Sequence, residues 1–258
     1  MKLLTHLFTS SLGRKFIMAG SGCVLFLFVV GHMVGNLQFF LPPEAINRYA
    51  HFLQSLGELL WAERLFMLAL LVLHIWSAAS LTVENRAARP EPYASGQAPF
   101  AASLASRTMF VSGLILGSFL IYHLLHFTVK VQGINGTSIP IGQLKDPATA
   151  HPDCYAMMVA GFSVVPVSLF YLVGVGLLCL HLSHGIQAMF QSLGLRNAAY
   201  AGLIDKSSKV IALVLFLGYA AIPTSVMVFG HGKAYLKEVV NAAPAKVAVA
   251  EAGKELVK

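Results

Sequence analysis

Apolar residues in this chain gather into long uninterrupted runs set apart by short polar stretches. A run of about 20 apolar residues is enough for a helix to cross a bilayer. Five runs meet that length: Phe16–Leu41, Leu65–Val83, Thr108–Val129, Tyr155–Phe190 and Val210–Phe229. The pattern predicts an all-α integral membrane bundle of five transmembrane helices. The first run follows Arg14 and Lys15 as a signal peptide would, but it is too long and no small-residue cleavage site follows, so it is kept as a span.

The connections are short. After Pro42-Pro43, Tyr49, Phe52, Leu53, Leu56, Leu59 and Leu60 recur at helical spacing, which predicts an amphipathic helix over residues 44–60 with Trp61 as an interfacial anchor. The stretch RPEPYASGQAP reads as a surface linker, and VQGINGTSIPIGQLKDPATAHPDC as a polar loop too short to be a domain. Pro166 predicts either a kink or the true start of the fourth helix. Residues 1–231 form the transmembrane domain on this reading, and residues 232–258 a flexible Ala- and Lys-rich tail.

Composition agrees, with 57% hydrophobic and 11% charged residues. A net charge of +7 would suit a nucleic-acid partner, but in a membrane chain its distribution sets orientation instead. Lys2, Arg14, Lys15, Arg86, Arg89, Arg107, Arg196, Lys206 and Lys209 fall on one side of the spans; Arg48, Arg64, Lys130 and Lys145 fall on the other. The N-terminus is therefore expected in the cytoplasm and the C-terminus outside, in the cell inner membrane. Cys23, Cys154 and Cys179 belong to no C-x-x-C motif, so disulfides, a zinc site and covalently attached haem lack support.

Histidines carry the chemistry. An ionisable side chain within a span is costly unless it faces the bundle interior and has a partner. Four of the five spans hold one or two: His32, His74, His123 with His126, and His181 with His184. At about 1.5 Å per residue, measured from Arg14 and Arg107, His32 and His123 lie roughly 24–27 Å from the cytoplasmic edge. Measured from Arg86 and Arg196, His74 and His184 lie about 18 Å from it. Depth does not separate His123 from His126 or His184 from His181, since three residues move a ligand by only about 4.5 Å.

Two levels of paired imidazoles suit two stacked haems, each iron held by two histidines in a closed electron-transfer site. Gly31, Gly35, Gly113, Gly117, Gly174 and Gly176 would make room for the macrocycles. A lone membrane histidine is more simply explained by an interhelical hydrogen bond or a proton path. Four histidines in depth-matched pairs favour haem.

The segments FLFVVGHMVGNLQFF, LHIWSAASLTVENRA, FLIYHLLHFTV and HLSHGIQAMFQSLG cover all four histidine-bearing spans. With them the chain resembles the cytochrome b membrane-anchor subunit of succinate dehydrogenase or fumarate reductase, of the single-chain, five-helix, dihaem type (the cytochrome b558 family). The resemblance implies four helices enclosing two b-type haems, with His74 and His184 on the inner iron and His32 and His123 on the outer one. His123 matches a His-Leu step and His184 precedes Gly185, as in the family; His126 and His181 become packing residues. Leu182 departs from an acidic residue found in some members, and Met18 and Ala19 from polar groups that cradle propionates. Arg107 and Arg196 remain candidate propionate contacts by charge and position.

The implied function is to anchor a flavoprotein subunit and an iron–sulfur subunit, which carry FAD and the clusters, and to pass electrons to or from a membrane quinone, menaquinone ahead of ubiquinone. Glu44, His51 and Glu58 are candidates for quinone and proton exchange. The chain itself has no nucleotide fingerprint and no iron–sulfur cysteine cluster. Its enzymic role would be that of a subunit of succinate:quinone oxidoreductase, with the dicarboxylate site on partners and no nucleic acid involved. Two rivals remain. One is the cytochrome b subunit of a hydrogenase or formate dehydrogenase; the other is a haem-free transporter or assembly protein, against which the absence of repeats and of acidic residues within spans counts.

Overall fold

In hydrocarbon a backbone must satisfy its own polar groups, and a single apolar run can do so only as an α-helix. The computed structural model describes residues 2–88, 104–137 and 139–242, with the side chains of residues 2–4 and 104–107 left out. Among the described residues the chain is helical, with an isolated bridge between Lys145 and Pro152 and no strand. The helices are α1 (Lys2–Thr9), α2 (Ser11–Leu37), α3 (Pro43–Ser55), α4 (Glu58–Ala87), α5 (Leu104–His123), α6 (Cys154–Phe162), α7 (Val165–Ser192) and α8 (Ala201–Phe229). A 3₁₀ turn, Gln38–Phe40, extends α2, and a π turn, Leu124–Val129, extends α5.

Five helical stretches are long and apolar enough to cross a membrane: Ser11–Phe40, Glu58–Ala87, Thr108–Val129, Val165–Ser192 and Ala201–Phe229. Leu27, Leu65, Val72, Leu114, Val173 and Leu213 are exposed on them. So much exposed aliphatic surface is unfavourable in water and suited to lipid contact.

Three boundaries differ from those predicted. The apolar run from Tyr155 breaks at Ser163 and Val164, and a separate helix begins at Val165 with Pro166 in its first turn. Proline fits there because its missing N–H is not needed in a first turn; Ser168 donates to Phe162 O at 2.7 Å across the break. The helix expected over 44–60 ends at Ser55, because Gly57 takes a positive φ of 55°. Trp61 and Glu58 therefore belong to the membrane-crossing helix α4, where Arg64 lies over the Trp61 ring at 5.0 Å. Lastly, residues 233–242 of the expected tail are helical, with Leu236 and Val239 buried. Residues 243–258 lie outside the described part.

The chain divides into two compact units. The first comprises residues 1–33, 57–117 and 176–216. Its interior is sparse, with Ala19, Met33, Leu81, Cys179, Ile186, Ala212 and Leu215 buried beside four serines, Ser21, Ser77, Ser112 and Ser208. An ion pair joins Arg14 to Glu84, and a second joins Arg196 to Asp205 at 3.0 Å.

The second unit comprises residues 34–56, 118–175 and 217–258. A dense core runs through it from Phe39, Ile46, Ile141 and Leu144 to Val159, Tyr171, Val226 and Val239. Asn47 on α3 is its polar hub. Its amide donates to Asp146 at 3.2 Å and to Asp153 at 3.1 Å, and its carbonyl accepts from Tyr155 N at 2.9 Å. Asp153 also caps α6 through Ala156 N at 2.8 Å and accepts from the Tyr235 hydroxyl at 2.8 Å. The loop leading into α6 is thus pinned at Asp146 and Asp153 despite its polar, Gly-rich sequence.

Candidate functional site

In the first unit, α4 presents His74 towards α2. The ring's Nδ1 lies 3.2 Å from Met18 O and 3.3 Å from Ser21 Oγ. A carbonyl only accepts, and Ser21 already directs its proton to Ile17 O at 2.7 Å. His74 Nδ1 therefore carries hydrogen, and its Nε2 lone pair is available. Gly22 makes the approach possible, since a Cβ there would sit 3.1 Å from His74 Cε1.

Opposite it stands His181 of α7, its ring centre 6.4 Å from that of His74. The same hydrogen-bond logic applies: His181 Nδ1 faces Ser112 Oγ at 3.4 Å, and Ser112 donates to Met109 O at 3.1 Å. Gly113 lies against this ring, with a Cβ position 3.6 Å from His181 Cε1. Both histidines thus present Nε2 as the acceptor nitrogen. A metal–imidazole bond of about 2.0 Å puts a ring centre roughly 3 Å from the metal, so a ring spacing of roughly 6 Å is compatible with two imidazoles sharing one metal.

Among the described residues no group of three or more His, Cys, Asp or Glu side chains could hold a bare metal ion. Two imidazoles leave the remaining positions to the ligand, which is the donor set a tetrapyrrole iron requires. The structure thus brings His181 to His74, whereas His184, expected in that role, makes no ring contact or hydrogen bond among the described residues.

His123 closes α5 in the second unit, and His126 lies in the π turn that follows, fully buried. Single π turns recur at functional sites. One hydroxyl serves both rings: Tyr171 OH is 3.0 Å from His126 Nδ1 and 3.4 Å from His123 Nδ1. His126 Nε2 is buried without a partner and is packed so closely on α6 that a Cβ on Gly161 would come within 2.8 Å of it. That nitrogen has no room for a metal, which leaves His123 as the ligand candidate of the two. His32 belongs to the first unit, its ring stacked on Phe28 at 5.5 Å.

The glycines divide by use. Gly35 receives the Tyr49 ring, with a Cβ position 2.9 Å from it, and Gly174 receives Phe119. Those two accommodate the chain's own aromatics, while Gly22 and Gly113 accommodate the histidine pair.

Arg196 is engaged by Asp205, with its Nε buried and unpartnered. Arg14 has the same character: its Nη2 contacts Glu84 and, at 2.9 Å, Thr9 O, and its Nε is buried without a partner. The Arg107 side chain lies outside the described residues. Glu44 and His51 are exposed on α3 in the second unit, His51 tilted against His151 with ring centres 4.0 Å apart, and Glu58 opens α4 in the first.

Sequence reasoning named His181 but set it aside on the resemblance, and missed the part played by Ser21, Ser112, Tyr171 and Arg14. Hydroxyl residues give no signal of their own, but Ser112 and Gly113 as neighbours on a helix facing histidines form a pattern that could be sought. No family model, curated protein or solved structure matches the chain.

Proposed function

We propose that the chain is the membrane-anchor dihaem cytochrome b subunit of a succinate:quinone oxidoreductase, passing electrons between soluble flavoprotein and iron–sulfur subunits and a membrane quinone. The observation that carries this reading is the His74–His181 pair, two imidazoles 6.4 Å apart whose Nδ1 atoms each face a hydroxyl acceptor. The resemblance of the four histidine segments supplies the family and the partners. When bound, each b-type haem supplies a one-electron iron couple.

The residues of this chain hold and orient. His74 and His181 would hold the iron of one haem, with Met18 O, Ser21 and Ser112 fixing ring rotation and tautomer. A hydrogen bond from the far ring nitrogen also raises ligand basicity. Of the remaining histidines, His123 is the ligand candidate within the second unit. Arg14 and Arg196 each keep a buried N–H donor for an anionic group such as a propionate. The aliphatic faces of the spans keep water from both positions. The charge bias of the loops supports an inner-membrane protein with its N-terminus in the cytoplasm and its C-terminus outside. Exposed Glu44 and His51 remain candidates for proton exchange with quinone.

The test is a reduced-minus-oxidised spectrum of the purified chain with extracted haem counted, in wild type and in His181→Ala and His184→Ala. The expected result is two noncovalent b-type haems, one of them lost in His181→Ala and both kept in His184→Ala. Loss from His184→Ala alone would return the ligand role to His184. A folded wild type without haem would overturn the cytochrome reading. Haem that succinate does not reduce in native membranes would point instead to another dehydrogenase as partner.

A further inference from the structure

We propose that His51 and His151 form a surface site for one divalent transition-metal ion, Zn²⁺ or Cu²⁺, which staples α3 to the hairpin leading into α6. Both residues belong to the second unit, and neither lies in a membrane-crossing helix. Their rings are in contact, with centres 4.0 Å apart and planes tilted by 38°. With each ring centre roughly 3 Å from the metal, imidazoles at neighbouring corners of one ion have centres roughly 4–5 Å apart. The pair already stands close to that spacing.

The backbone on both sides is fixed. Asn47 and His51 are four residues apart on α3 and so share one of its faces. Asn47 in turn holds Asp146 and Asp153, the two residues that bracket His151. Between them the chain is a closed hairpin: Lys145 bridges Pro152, Asp146 N donates to His151 O at 2.9 Å, and Asp153 N donates to Leu144 O at 3.0 Å. Asp146 Oδ1 secures the turn by accepting from Ala148 N at 2.9 Å and from Thr149 N at 3.2 Å. Ala150, directly before His151, takes a φ of 59°, a left-handed conformation that a residue with a Cβ seldom adopts. An unfavourable backbone thus sits at the residue that aims His151.

Both side chains are exposed, and among the described residues none of their four ring nitrogens makes a hydrogen bond. Each ring can therefore turn a lone pair to a shared ion. Imidazole nitrogen suits Cu²⁺ and Zn²⁺, whereas Ca²⁺ and Mg²⁺ demand oxygen ligands. The nearby carboxylates do not compete for the role, because Asp146 and Asp153 are already taken up by Asn47, Tyr235 and backbone amides. No third His, Cys, Asp or Glu completes a cage among the described residues. Water fills the remaining positions, and the ion exchanges with solution.

The experiment uses the full-length chain, purified without a histidine tag and treated with chelator, then titrated with Zn²⁺ by calorimetry and with Cu²⁺ by electron paramagnetic resonance. The expected result is one Zn²⁺ at the pair, bound about tenfold or more weakly in His51→Ala and in His151→Ala alike, because each variant loses a second ligand already held in place. The Cu²⁺ spectrum should show splitting from two nitrogens in the wild type and from one in either variant. His231→Ala, which removes another exposed histidine of the same unit, should change neither reading. The staple is read by amide hydrogen exchange at Asp146, Ala150 and Asp153, which should slow by about a hundredfold when Zn²⁺ is at a hundred times its Kd. A wild type that binds neither ion, or an affinity that is unchanged in either histidine variant, would overturn the site and leave two aromatic rings in contact. Exchange that Zn²⁺ does not slow would overturn the staple. None of these outcomes depends on the haem count.

Discussion

In the first unit the buried polar side chains are Ser21, Ser77, Ser112 and Ser208; in the second they are Asn47, His126, Asn135, Asp146, Asp153 and Ser168. Each of the four serines donates to a carbonyl three or four residues back in its own helix. A spare lone pair remains, which Ser21 and Ser112 turn to a histidine and Ser208 to the Gln187 amide at 2.9 Å. The second unit ties its polar groups across the sequence, with Asn47 joined to residues 99 and 106 positions away. Self-satisfied serines allow a sparsely packed interior with two imidazoles facing each other. A network of carboxylates and an amide demands a dense, closed core and fixes it in one arrangement.

The sharpest way to break this contrast is at Asn47. Asn47→Ala removes the amide between two buried carboxylates and should cost about 3–5 kcal/mol in reversible unfolding in detergent. A loss no larger than that of a serine variant would mean that the network is not what holds the second unit.

Next comes Cys154, at the start of α6. Burial, reinforced by Asp153 and opposed by Lys130, pushes its thiol up to about 11. At pH 8 its thiolate fraction, and so its alkylation rate, should be about a hundredfold below that of an ordinary thiol. The rate should climb about tenfold per pH unit until the pH reaches about 11. A plateau near pH 9 would show the core there to be loose.

Gly161→Ala forces a methyl group to within 2.8 Å of His126 Nε2 and should cost about 1–3 kcal/mol by overpacking. Substituting Gly20 in the first unit, where a Cβ meets nothing within 4 Å, should be neutral by thermal unfolding. Ser21→Ala falls between these two, at about 0.5–1.5 kcal/mol, since His74 keeps Met18 O as acceptor. Equal costs for Gly161→Ala and Gly20→Ala would erase the difference in packing between the units.

The five spans were legible because an apolar run of sufficient length has only one backbone solution in lipid. Boundaries were less so, since hydropathy does not register a break such as Ser163–Val164 inside an apolar run, and Gly57 acts through φ rather than polarity. Depth left His181 and His184 unseparated, and His184 was preferred on the resemblance alone. The ruler in the fourth span ran from Arg196, beyond the end of α7 at Ser192, and so included non-helical chain. Measured from helix ends, His181 stands eleven positions before Ser192 and His74 thirteen before Ala87, a closer match than His184 at eight. Tyr171 and the Asn47 hub rest on contacts 45 and about 100 residues apart, which no local pattern reports.

The Asn47 hub also sets a schedule for biosynthesis. At about 5–20 residues per second, Asn47 leaves the ribosome roughly 5–20 s before Asp146 and Asp153 follow it. The phenol that completes the cluster, Tyr235, is 82 positions beyond Asp153 and past the last span. Until Asp146 and Asp153 follow, α3 carries an unmatched amide that is comfortable only at the membrane–water boundary. The cluster is therefore completed only after the last span has been made, and a nascent chain halted before Tyr235 would hold every span and lack the Tyr235–Asp153 bond.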